Sequence, residues 1–430
     1  MTSFGDALLA FFLFGVVNVF ILSRIATTIA PAERPFLMRV YRWTLFLRAA
    51  LAVFLNAYSG ETGFADMFWG DSGTYDWGGF MLAMKWQGVP VVLPPVLSSA
   101  SGYGFYYVVG FIYYIFGQNQ LLVQLLNGTM GSLTVLLIYA IAKRLFDVPT
   151  ARWAAKFTAF FPAMVFWSGA MYKDPAIQLC VAVCIYCVVR LNERFALKFF
   201  IFFVAAALAL MTFRFYVCYI VVITTLGTFL LTQRRGMFES LLVQAFFISV
   251  FLGAFAFGVS RERLDQQRTL LDVGRIKITR EDQANLGQSS FGVGFDVTTP
   301  AGALATLPVG ITYLLFAPFP WAIRGVRQLL TLPEMLVWYW LMPSLFRGLR
   351  YTLKNRFKPA LPILAFAAAL TLTYALSQGN VGTAYRQRTQ ITMFFFIFMG
   401  AGLVEKERQR ATRSTPTAWA STVPRAPLTR

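Results

Sequence analysis

The chain has 430 residues, of which 57% are hydrophobic, 17% aromatic and only 13% charged, with a mean hydropathy of +0.60. That balance excludes an ordinary soluble domain and indicates a polytopic membrane protein. The net charge of +19 falls in short loops between apolar runs and in the tail, which is the pattern of membrane orientation and predicts no nucleic-acid partner.

A span needs roughly 20 apolar residues. On that scale the expected spans are 5–23, 39–57, 119–142, 154–172, 175–190, 199–212, 216–232, 239–258, 329–346, 359–377 and 391–404. Basic clusters lie between them: Arg24 to Arg42, Lys143 to Arg152, Arg190 to Lys198, Arg234–Arg235, Arg347 to Lys358, and the tail. Short Lys/Arg-rich loops stay cytoplasmic, so the N-terminus is expected outside and the tail inside. Two shorter apolar segments, 104–117 and 306–322, would invert this parity if they crossed, and are read as re-entrant or interfacial pieces. The first run has Asp6 before it and Arg24 after it, the charge order of an uncleaved anchor. The expected architecture is an all-α transmembrane bundle of about 11–13 helices over residues 1–404, with two outer loops at 58–103 and 259–305. A disordered basic cytoplasmic tail is expected at 405–430. Cys180, Cys184, Cys187 and Cys218 fall within spans and read as packing residues.

The sequence has no histidine, which removes Ser-His-Asp and Cys-His catalysis, His-ligated zinc and His proton relays. It also lacks a Walker loop. A general base must then be Asp, Glu, Lys, Tyr or Cys. The first outer loop holds Glu61, Asp66, Asp71 and Asp76. Asp71, next to aromatic residues at a water–lipid boundary, suits a base for an acceptor hydroxyl or a ligand for a divalent cation. Lys173-Asp174-Pro175 forms an outer turn, where Asp174 is either an N-cap before Pro or a functional carboxylate. Arg214 interrupts the apolar run 199–231. Because both flanks are basic, the run is expected to be a hairpin with Arg214 at its outer tip, placed to grip a phosphate or to snorkel. Arg386 and Arg388 precede the last span against the charge bias, which suggests an anionic ligand. Arg263 and Gly274 in the second loop have a spacing met in some polysaccharide polymerases.

The order of these features resembles the GT-C superfamily of membrane glycosyltransferases, in its protein O-mannosyltransferase and aminoarabinose-transferase branch. The motifs are Asp71 with Tyr75 four positions on, then Tyr106–Gly117, then the span ending Lys143-Arg144-Leu145-Phe146. They continue with Trp167 through Asp174-Pro175 to Tyr186, and with a final Arg-x-Arg at 386–388. The resemblance covers roughly residues 39–232 and the last outer loop. It implies inverting transfer of a sugar from a polyprenyl-phosphate carrier to a glycan, lipid or protein acceptor at the outer face of a bacterial inner membrane. In that reading Asp71 and Asp174 are catalytic, and Tyr75, Asp76, Lys173, Arg214, Arg386 and Arg388 bind substrate. The Glu-Lys pair that some relatives carry before the Phe-Gly run is absent; Ser99, Ser101 and Tyr103 stand there, and no cofactor is assigned. The alternatives are an envelope polysaccharide polymerase and a lipid or solute transporter or flippase. A transporter wants charges midway along spans and inverted repeats, whereas here the charges sit at span ends and no repeat is visible.

Overall fold

The structure is a computed structural model. It describes residues 3–58, 70–98, 102–232, 245, 248–249, 252–253, 265–269, 272–286, 290–291, 296–323 and 325–414. The described residues are all-α; their one β feature is an isolated bridge between Ser290 and Asn380. The helices are α1 (Phe4–Thr28), α2 (Arg34–Ala57), α3 (Gly70–Trp86), α4 (Tyr103–Phe116), α5 (Gln120–Leu145), α6 (Val148–Phe160) and α7 (Pro162–Gly169). They continue with α8 (Asp174–Glu193), α9 (Leu197–Leu231), α10 (Val273–Leu286), α11 (Pro300–Phe316), α12 (Val326–Asn355), α13 (Phe357–Ser377) and α14 (Val381–Ser414). Six of them are long and apolar enough to cross a membrane by length and composition, within α1, α5, α8, α9, α12 and α13. The expected span 239–258, the acids Glu61 and Asp66, and Arg263 lie almost wholly outside the described residues.

The bundle has two chemically distinct ends. At one, Glu33 meets Lys143 and Tyr139, Arg144 pairs with Glu193 at 2.7 Å, and Arg408 pairs with Asp147. The other end carries Asp71 and Asp174. The 20 residues of α8 separate the two by about 30 Å, a bilayer's hydrocarbon thickness.

Helix α9 is the expected hairpin. Near its start Phe199 lies against Tyr186 and under Arg190, and just past its end Thr232 bonds Asn192 at 3.3 Å, so both termini sit at the basic end of α8. At its middle Arg214 leaves helical geometry, with φ −161° and ψ 85°, and reaches Asp174 at the opposite end. The short α4 does not cross. Its start lies against Lys173 and Thr212, and the residue after its C-terminal turn, Gln118, bonds Asp76 at 3.1 Å; Asn119 then bonds the backbone of Asp6 at 2.7 Å. Both ends of α4 therefore lie at the Asp71 end, packed on α3 so closely that a Cβ at Gly110 would stand 2.9 Å from Leu82 Cβ.

The expected span 154–172 is broken. Pro162 has no N–H to give Thr158 O, and the chain turns at Phe161 into α7. Two buried charges complete the backbone bonding. Arg48 donates to Ala159 O at 3.0 Å and to Thr158 O at 3.3 Å, while Glu334 accepts from Ala163 N at 2.6 Å. Freed helix-end groups inside a bundle need such partners.

The tail also departs from expectation. Residues 405–414 continue α14 as helix instead of starting a disordered segment. Arg408 is tied to Asp147 and Gln409 to Glu405, contacts that the tail composition does not reveal. Residues 415–430 lie outside the described residues.

Candidate active site

Four elements place charged groups at one end of the bundle. Asp71 lies in the first turn of α3, where a carboxylate suits the positive end of the helix dipole. Asp174 is the first residue of α8, followed by Pro175; Lys173 holds the cap position and makes no side-chain cap bond. Arg214 marks the turn of α9, and Arg386 lies near the start of α14.

Arg386 joins the two carboxylates. Its Nη1 donates to Asp71 Oδ2 at 2.8 Å, and its Nε lies 3.6 Å from Asp174 Oδ2. Its guanidinium stands 5.2 Å from the centre of the Tyr172 ring, close enough for cation–π attraction. Asp174 is held from the other side by Arg214 Nη2 at 3.7 Å and by Gln390 Nε2 at 3.4 Å. Tyr374 closes the ring: it accepts from Arg214 Nη1 at 3.2 Å and donates to Gln390 Oε1 at 2.8 Å. The two acids differ in access. The Asp71 side chain is 50% exposed and that of Asp174 only 1%, so only Asp71 can meet a substrate directly. Asp174 Oδ2 and Arg386 Nε are buried and have no hydrogen-bond partner among the described residues.

Lys173 adjoins this cluster. Gly102, with φ +83°, makes room for its ammonium; a side chain there would collide with Nζ. Burial, and then the nearby Arg214 guanidinium, push its pKa down to about 7, with Arg386 adding to the effect.

The structure therefore brings Asp71, Lys173, Asp174, Arg214 and Arg386 together. Tyr75, one turn beyond Asp71, is buried beside them with its ring against Phe105 and Tyr106, within electrostatic reach of Asp71, Asp174 and Arg386. Asp76 turns away to Tyr113 and Gln118. Arg388 is buried in a second cluster, where it donates to Leu315 O at 2.9 Å and Ala317 O at 3.1 Å and lies 3.9 Å from Glu334. It secures the C-terminal carbonyls of α11 and does not face Asp71. Tyr374 and Gln390 were not among the sequence candidates. Gln390 follows Arg386 by four positions and so shares its helix face; Tyr374 gives no sequence signal. As for a divalent cation, among the described residues no group of three or more Cys, Asp and Glu side chains is placed to hold a metal ion, and both site carboxylates face guanidinium groups.

Residues 101–258 match the sequence model of the dolichyl-phosphate-mannose-protein mannosyltransferase family. This segment includes Lys173, Asp174 and Arg214 and leaves out Asp71 and Arg386. No curated protein matches the chain. Among solved structures, the chain is similar to the apo-form crystal structure of the Archaeoglobus fulgidus oligosaccharyltransferase, at 14% identity and a TM-score of 0.48, over 87% of this chain and 52% of that one. The chain thus spans about half the length of that protein. The family match and the multi-pass helical architecture support the resemblance to GT-C membrane glycosyltransferases that the sequence motifs carry.

Proposed function

We propose that the protein transfers a sugar from a polyprenyl-phosphate carrier to an acceptor hydroxyl at the outer face of the membrane, with inversion at the sugar carbon. The observation that carries this reading is Arg386 bridging a half-exposed and a buried carboxylate at a bundle end. The concentration of Lys and Arg in loops at the opposite end supports an outward-facing site.

In this mechanism the acceptor oxygen attacks the anomeric carbon as the bond from that carbon to the phosphate oxygen breaks. The phosphate leaves with the electron pair, and the acceptor proton passes to Asp71. Arg214, Arg386 and Lys173 stabilise the charge that grows on the phosphate. The donor phosphate and Asp71 share one guanidinium. Donor binding therefore draws Arg386 from Asp71, which frees the carboxylate to take the acceptor proton as the site fills. Asp174, fixed by Arg214 and Gln390, holds Arg386 in place during this exchange.

The test is to incubate the purified protein with labelled polyprenyl-phosphate sugars and an acceptor extract, and to follow loss of sugar from the carrier. Loss from a monophosphate-linked donor that Asp71→Asn prevents is the expected result. No loss from any such donor would overturn the proposal.

A further inference from the structure

Glu334 on α12 is buried, and its Oε2 accepts two hydrogen bonds from two other elements. Tyr385 donates its hydroxyl at 2.7 Å, and Ala163 donates its backbone N–H at 2.6 Å. Tyr385 immediately precedes Arg386 on α14. Ala163 lies at the start of α7, and the chain beyond it carries Trp167 and Tyr172, whose ring centres lie 6.0 Å and 5.2 Å from the Arg386 guanidinium. One carboxylate oxygen thus joins the helix that bears Arg386 to the segment that flanks it. Arg388, three positions after Tyr385 and so on the same side of the helix, lies 3.9 Å from the other oxygen of Glu334. A buried carboxylate is costly unless it is paired, and a neutral acceptor would satisfy Ala163 N alone.

Helices α12 and α14 touch backbone to backbone further along. A Cβ at Gly348 would strike Phe398 O, and one at Gly402 would strike Ser344 O. Glu334 lies 14 residues before Gly348, and Arg388 lies 14 residues before Gly402. The two helices therefore run parallel and in step over about 21 Å. The glycine contact fixes one end of this stretch, and the Glu334 cluster fixes the end at the site. Turning a helix by about 20° shifts a group about 6 Å from its axis by about 2 Å. That shift is enough to break the 2.8 Å bond from Arg386 to Asp71.

We infer that Glu334 and Tyr385 are positioning residues for Arg386: their hydrogen bond sets the rotation of α14 at which one guanidinium reaches both Asp71 and Asp174. What Arg386 does to a donor rests on the sugar-transfer reading; where its side chain stands does not.

Tyr385→Phe removes one hydroxyl and keeps the ring, whose centre lies 5.0 Å from the Arg388 guanidinium. The full chain in detergent is treated with phenylglyoxal, and the labelling rate of each arginine is read by peptide mass spectrometry, which needs no turnover. In the variant Arg386 should label several-fold faster, while buried Arg48 stays as slow as in wild type. An unchanged rate at Arg386 would overturn the proposal, and an equal rise at Arg48 would replace it with general loosening. The same variant should lose about tenfold in kcat/KM for transfer. Added to Arg386→Lys it should cost nothing further, because Tyr385 acts through Arg386. Losses that multiply would overturn the positioning role. A wild-type protein that transfers from no donor would overturn the sugar-transfer reading instead, and the labelling rates would still decide whether Glu334 and Tyr385 place Arg386.

Discussion

Arg386 and Asp71 lie 315 positions apart in the chain, and their side chains meet at 2.8 Å. This contact ties α3 to α14 and sets an exposed carboxylate on the same guanidinium as the buried Asp174. Removing the basicity of Asp71 while keeping its shape tests the role proposed for it. Asp71→Asn should lower the sugar-transfer rate by about 10²–10⁴ with an unchanged melting temperature. A rate within a few fold of wild type would remove Asp71 as the base.

Arg386→Lys keeps the charge and loses the planar fork that spans two partners. Each charge-assisted contact contributes about 1.5–3 kcal/mol, so the variant should lose roughly 10–150-fold in kcat/KM. Steady-state kinetics check this. Wild-type kinetics should also be ordered with donor first, because the donor phosphate releases Asp71 from Arg386.

Lys173 supplies a pH dependence. Its proton leaves near pH 7 in the folded chain, against about 10.4 in an unfolded one. Between these values the unfolded chain holds the extra proton, so stability should rise with pH in that window. Binding of an anionic donor favours protonated Lys173, so donor affinity should fall above about pH 7, by up to about tenfold per pH unit for one linked proton. Titration of donor affinity from pH 6 to 9 measures this. Lys173→Met should weaken binding and flatten the profile.

Arg48 supports the break between α6 and α7. Arg48→Leu leaves the Thr158 and Ala159 carbonyls without their buried donor and should cost about 1–3 kcal/mol for each unsatisfied group. Pro162→Ala restores an N–H to that stretch, so adding it should recover part of the loss. Thermal unfolding of the two single variants and the double variant gives the coupling directly.

Arg388 provides a contrast within the same Arg-x-Arg motif. Arg388→Gln leaves Glu334 and the α11 carbonyls under-partnered, and should lower stability with little change in donor affinity for the fraction that folds. A selective loss of donor affinity at full stability would return Arg388 to the binding site.

The sequence by itself marked apolar runs of membrane-spanning length, and six described helices have that length and composition. A hydrocarbon layer about 30 Å thick requires apolar runs of matching length, and charges in mid-span are costly enough to force a turn. For that reason the hairpin at Arg214 and the non-crossing α4 could both be read from residue order alone. Tertiary structure decided which polar groups meet. Arg386 and Arg388 are alike in sequence but stand about 200° apart around one helix, so one faces Asp71 and the other Glu334. Asp71 and Asp76 lie five positions apart on one helix and also part company, the first to Arg386 and the second to Tyr113. Tyr374 carried no local signal because its partners, Arg214 and Gln390, come from other helices. Helix periodicity marks an apolar face, but only the packing of α8, α9, α13 and α14 around Asp174 selects the side chains that complete its hydrogen bonds.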